Sequence, residues 1–121
     1  MIDNVADALA QHPPFDVTLL GPRRFPPDRT GRVTLWLDPQ PPAALLALGR
    51  VIGDAAGHPL DGFTPHCGLV RLPAGVDPDP LDRLVAPWLP IVTRLEHVEL
   101  RVQASGGWRH ERTLALGAPR P

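Results

Sequence analysis

Pro65-His66-Cys67-Gly68-Leu69-Val70-Arg71-Leu72 is a histidine opening a short apolar run, and reading that run as a strand decides the fold. Side chains alternate between the two faces of a strand. His66, Gly68, Val70 and Leu72 are therefore expected on one face, with Cys67, Leu69 and Arg71 on the other. A histidine at a strand mouth, with the residue two later beside it, is the geometry of an H-x-T or H-x-S phosphate-handling site. Gly68 stands where the hydroxyl would be, and no H-x-T or H-x-S triplet occurs in the chain.

Working outward, the chain before this run reads as helix, strand, strand, helix. Ile2, Val5, Ala6 and Leu9 recur at helical spacing over Ile2 to Gln11, and His12-Pro13-Pro14 ends that helix. Phe15 to Leu20 reads as a strand closed by Gly21-Pro22, and Val33 to Leu37 as a second, with Arg23 to Arg32 a polar loop between them. A proline-bearing entry then predicts a helix from Ala43 to Ala56. Leu45, Leu48, Ile52 and Ala55 form its apolar stripe, widened by Leu46 and Val51, with Gly57 as its stop.

Beyond the His66 run, Asp79-Pro80 predicts an N-cap and a first-turn proline. Leu81, Leu84, Val85 and Trp88 would be the apolar face of the short helix that follows. Ile91 to Val102, broken near Glu96, and Trp108 to Leu116 read as strands joined by a turn at Ser105-Gly106-Gly107, a hairpin. The order predicts an α+β fold with helices packed on an antiparallel sheet. A single domain over residues 1–117 is expected, with a frayed tail from Gly117 to Pro121.

Composition narrows the function. With 121 residues the chain suits one domain with a modest core, and 43% apolar residues suit a globule. A net charge of -1 gives no broad basic field for duplex nucleic acid. Every basic residue is arginine, a side chain suited to phosphate where it faces a site. One cysteine, Cys67, excludes an intrachain disulfide and a cysteine zinc cluster and fits a reducing compartment. No apolar run approaches the roughly 20 residues of a membrane helix. No basic region followed by an apolar stretch opens the chain, so no signal peptide is read and the cytoplasm is expected.

His66 is the first candidate for chemistry. An imidazole, with a reference pKa near 6.5, gives or takes a proton near neutral pH. Hydrolysis of a cyclic phosphodiester needs a base to activate water and an acid for the departing oxygen, with donors for the phosphoryl charge. The plain reading is a strand-end histidine bonded to backbone. His12, His58, His97 and His110 read as loop or surface residues, and no helical metal pair or carboxylate cluster accompanies them, so neither metal nor cofactor is expected. Asp16-Val17-Thr18 admits a degenerate H-x-T reading, but a carboxylate repels phosphate and an ordinary strand is the simpler account. Arg23, Arg24, Arg29 and Arg32 read as a solvated loop or as cations folding over an anion. Cys67 is expected to point away from His66.

Pro14-Phe15-Asp16-Val17-Thr18-Leu19, Arg24-Phe25-Pro26, Val33-Thr34-Leu35-Trp36-Leu37, the leucine-rich helix and Phe63-Thr64-Pro65-His66-Cys67-Gly68-Leu69 follow one another in this order. Together with Pro87-Trp88-Leu89-Pro90-Ile91 and the last hairpin, they resemble the two-histidine phosphoesterase superfamily, closest to the bacterial 2′-5′ RNA ligase-like proteins. The resemblance implies part of a bilobal fold whose cleft carries two H-x-T or H-x-S motifs, of which this chain matches the second. It implies a cyclic phosphodiesterase or 2′-5′ RNA ligase-like activity on a 2′,3′-cyclic phosphate or 2′-5′ linkage. His66 would be catalytic, Gly68 and Arg71 would bind substrate, and the partner would be a nucleotide or RNA terminus, with no membrane.

With Gly68 in place of the hydroxyl and no first motif, impaired activity is expected. Three explanations stand side by side. The chain is part of a longer enzyme, or it is a non-catalytic member that binds a nucleotide or RNA end, or it completes its cleft with another chain, a homodimer among the options. A self-associating module that keeps only the fold is the remaining alternative.

Overall fold

The computed structural model describes residues 2–58 and 62–117, the side chains of 102–104 excepted. Helix α1 (Ile2–Ala10) leads to strands β1 (Phe15–Arg24) and β2 (Val33–Gln40), helix α2 (Pro42–Ala56) and strand β3 (Cys67–Leu72). Helix α3 (Asp79–Val85) runs on into a 3₁₀ turn (Ala86–Trp88), followed by β4 (Ile91–Leu95), β5 (His97–Ala104) and β6 (Gly107–Ala115). The class is α+β with antiparallel pairing, as expected. The chain divides into two compact units: Met1–Asp16 with Leu46–Phe63 and Arg94–Pro121, and Val17–Leu45 with Thr64–Thr93.

In the first unit, Val5, Leu9, Leu48, Leu114 and Leu116 are the buried cluster, with Phe15, Ile52 and Val98 packed on it. α2 stops on Gly57 (φ +73°). The Gly57 amide donates to Asp54 O (3.2 Å) and the His58 amide to Gly53 O (2.9 Å), so the left-handed glycine satisfies two carbonyls that the helix end would orphan. Leu48, Gly49 and Gly53 are its buried residues, while Leu46, expected to widen the stripe, is exposed. β5 and β6 form the expected hairpin, and the chain breaks at Glu96, whose carbonyl accepts from the Leu116 amide (2.8 Å). Gly117, expected to fray, is held: its amide donates to Leu9 O at 3.0 Å. The rest of the expected tail, 118–121, lies outside the described residues.

The second unit is built on a four-stranded sheet in the order β3-β2-β1-β4. Burial alternates along β2, with Leu35, Leu37 and Pro39 inward and Thr34, Trp36, Asp38 and Gln40 half-buried on the other face. Burying Leu35 and Leu37 contributes about 1.5–3 kcal/mol each. Gly21-Pro22 does not close β1. The strand continues to Arg24, and the register shifts between Leu19 and Pro22, so Gly21 lies in a bulge.

α3 differs from its expectation at both ends. Its N-cap is Pro78, with no side-chain cap, and the Asp79 carboxylate instead reaches Arg24. No residue of α3 is buried, and Leu84 and Trp88, expected on an inward face, are 66% and 76% exposed.

Candidate functional site

A bulge reshapes the stretch that opened the sequence. Leu35 pairs with Val70 but Trp36 with Gly68, leaving Leu69 as an extra residue in β3. Residues opposite each other in an antiparallel ladder share a face. Cys67, Val70 and Leu72 therefore lie on the face of Leu37, Leu35 and Val33, and Gly68 and Arg71 on the face of Trp36 and Thr34. This corrects the strict alternation, which grouped Gly68 with Val70 and set Arg71 on the opposite side. One inserted residue reverses the phase, and it brings Arg71 to the Gly68 face.

His66 sits one residue before β3, with its side chain exposed. Its ring meets Phe25 edge-on, with centroids 4.9 Å apart at 85°, and Trp36 at 6.2 Å and 72°. Phe25 and Trp36 stack on one another at 5.0 Å. The ring edge carries partial positive charge and the face partial negative, so edge-on contacts of this kind are favourable. Nδ1 lies 2.8 Å from Thr64 O. A carbonyl only accepts, so in the neutral ring Nδ1 carries the proton and Nε2 the lone pair. The backbone bond that defines the plain reading is thus also the bond that sets the tautomer an acid–base histidine needs.

Gly68 is open. A Cβ built there meets nothing within 4 Å. Cys67 is half-buried on the face of Leu37, its register partner, rather than beside Gly68. Trp36 holds its indole Nε1 buried without a hydrogen-bond partner among the described residues.

Arg71 is held by the β1–β2 loop. Its Nη2 donates to Asp28 Oδ2. The other oxygen, Oδ1, accepts from the Thr30 amide (2.8 Å), the Thr30 hydroxyl (2.7 Å) and the Arg32 amide (3.1 Å). The Thr30 hydroxyl first, and then Arg71, hold the Asp28 carboxyl well below the usual carboxylate range. The arginines of this region do not act as one cluster. Arg24 Nη2 reaches Asp79 (2.5 Å) and Asp82 (2.7 Å), which raises its pKa through the Asp82 bond first, and Arg23 lies 3.5 Å from Asp38.

The other sequence candidates lie elsewhere. Asp16 pairs with Arg94 at 3.1 Å, and Thr18 lies opposite Gln40 in the ladder. His12 faces Pro13 O, and His110 faces the Thr113 hydroxyl. His66 is the one histidine in the sequence of the second unit. No group of three or more His, Cys, Asp or Glu side chains gathers for a metal among the described residues, and no helix there is long and apolar enough to cross a membrane.

Sequence reasoning missed Asp28, and Phe25 and Trp36 entered it only as parts of the family pattern. For Asp28 a signal existed: Asp-x-Thr-Gly is a turn in which the aspartate side chain caps backbone amides two residues on.

A family model described as the 2′-5′ RNA ligase superfamily matches residues 1–107. No curated protein matches the chain.

Proposed function

Since the chain belongs to the 2′-5′ RNA ligase superfamily, we propose that its second unit handles a 2′,3′-cyclic phosphate or a 2′-5′ phosphodiester at a nucleotide or RNA terminus, with His66 as general acid or base. The observation that carries this reading is the Nδ1 bond of His66 to Thr64 O, which leaves Nε2 as the ring's proton-transferring atom. Gly68 leaves room for the phosphoryl group beside it, and Arg71, on the Gly68 face, supplies positive charge for its oxygens. No step requires a metal or cofactor, and a free thiol at Cys67 suits the reducing cytoplasm.

In hydrolysis, water attacks phosphorus as a base takes its proton, and the bond to the departing sugar oxygen breaks as an acid supplies one. His66 fills one of these roles. Losing one acid–base partner costs roughly 10²–10⁴-fold in rate, and Gly68 offers no hydroxyl to the phosphoryl oxygens. The activity of these residues acting alone is therefore low.

Gly68 favours a second reading, in which the same face binds a nucleotide or RNA end without turnover. Self-association with a second copy is the third: Leu84, Trp88 and Val92 are 66%, 76% and 69% exposed, and a strictly monomeric species in sedimentation would count against it. The test of the leading reading is incubation with 2′,3′-cyclic AMP, followed by calorimetry and by chromatography of the product. Turnover abolished by His66→Ala supports catalysis. Heat without product supports the binding reading, and equal turnover by the His66→Ala variant removes His66 from the chemistry.

A further inference from the structure

Resting on the reading of the Gly68 face as a phosphate site, we propose that Asp28 is a positioning residue for Arg71: it holds the guanidinium on that face in the orientation that meets the phosphoryl oxygens. An arginine side chain on an exposed strand samples many rotamers, and ordering it at the moment of binding costs affinity. Asp28 removes much of that cost in advance. Its Oδ1 takes three donors from its own turn, the Thr30 amide and hydroxyl and the Arg32 amide. The carboxylate cannot swing, and Oδ2 is left aimed at Arg71. The turn is itself closed by backbone bonds, Gly31 N to Asp28 O and Asp28 N to Arg32 O, both 3.0 Å.

The contact engages Nη2 of Arg71 alone. Among the described residues no other acceptor takes Nη1 or Nε, so N–H donors remain for an anion. The fork geometry of guanidinium lets one edge bind a carboxylate while others bind phosphate oxygens. The bulge at Leu69 is part of the same device, because without it Arg71 would lie on the face of Leu35.

The test is a double-mutant cycle read by calorimetric titration of 2′,3′-cyclic AMP. The variants are Arg71→Ala, Asp28→Asn and the pair, each checked by thermal melting. Asparagine keeps the oxygen that caps the turn and removes the charge that holds Arg71. Arg71→Ala should weaken binding roughly ten- to hundredfold, the worth of a charge-assisted bond, and Asp28→Asn several-fold. In the Arg71→Ala background Asp28→Asn should change nothing further. If Asp28→Asn is silent beside an active Arg71, or costs as much with Arg71 gone, Asp28 is a turn residue only and the proposal falls. If the unsubstituted protein gives no heat, or Arg71→Ala binds as well as the parent, the phosphate-site reading itself fails and takes the Asp28 role with it.

Discussion

His66 meets Phe25 edge-on, with ring centroids 4.9 Å apart, while the same Phe25 stacks on Trp36 at 5.0 Å. The histidine is therefore fixed by two independent contacts, the aromatic pair on its flank and the Thr64 carbonyl at Nδ1. Trp36 is also the register partner of Gly68. The indole thus ties the orientation of the histidine to the open position beside it.

Phe25→Ala should release the ring. Phe25 is half-buried, so the loss of packing should cost about 1–2 kcal/mol of stability. The more telling readout is the imidazole itself. Its NMR resonances should move toward those of a freely rotating histidine mixing both tautomers, whereas Phe25→Leu, which keeps apolar bulk, should move them less. Unchanged His66 resonances in the alanine variant would mean that the Thr64 bond alone fixes the ring.

Gly68→Thr should raise activity rather than damage the fold. A Cβ at this position meets nothing within 4 Å, and a β-branched residue suits a strand better than glycine does. The new hydroxyl would lie on the face of Trp36 and Arg71, as a donor toward phosphoryl oxygens. Removing one such donor from an enzyme costs about 10²–10³-fold, so a gain of tenfold or more in hydrolysis of 2′,3′-cyclic AMP, or in its affinity, is expected. A folded variant with neither gain would mean that the reacting group does not approach Gly68.

Much of this arrangement was legible in the chain, and the rest was hidden for identifiable reasons. The helical spacing of Val5 and Leu9, the Gly57 stop and the break at Glu96 are local signals, and each appears where it was read. The bulge at Leu69 is not local. Nothing in Gly68-Leu69-Val70 marks an extra residue, because the register is set by which β2 side chains face the core. Strict alternation therefore sets Arg71 on the face opposite Gly68, and the bulge brings it to the same one. Leu84 and Trp88 mislead in the opposite way: their spacing is that of a buried stripe, yet both are exposed.

Arg24 should tether α3. A single guanidinium nitrogen, Nη2, reaches both Asp79 and Asp82, and α3 has no buried residue to hold it otherwise. Arg24→Ala should speed hydrogen exchange of the α3 amides while leaving those of β2 unchanged, and high salt should reproduce part of the effect in the parent. Equal exchange in the variant would assign the helix's order to its own backbone.

Leu9→Ala should be the most damaging of these substitutions. Leu9 is completely buried in the cluster with Val5, Leu48, Leu114 and Leu116, and its carbonyl also accepts from the Gly117 and His12 amides. Truncation leaves a cavity among side chains from two helices and a strand, at a cost of about 2–5 kcal/mol. Urea denaturation should show a lower midpoint. A loss below 1 kcal/mol would mean that the cluster collapses onto the space.

The Asp28 turn carries a pH signature whose direction follows from its hydrogen bonds. Four donors hold its carboxyl below the ordinary range in the folded protein, while the unfolded chain titrates near the reference value of about 3.9. A group depressed in this way stabilises the fold fully above the unfolded value, and that contribution fades as pH falls through the lower, folded value. Asp28→Asn removes the contribution altogether. The melting temperatures of parent and variant should therefore differ at neutral pH and converge progressively below about pH 4. Because Asp28 is solvent-accessible and its partner Arg71 is exposed, salt should narrow the neutral-pH gap as well. A gap that stays constant down to pH 2 would show that the carboxylate charge contributes nothing and that the turn is held by geometry alone.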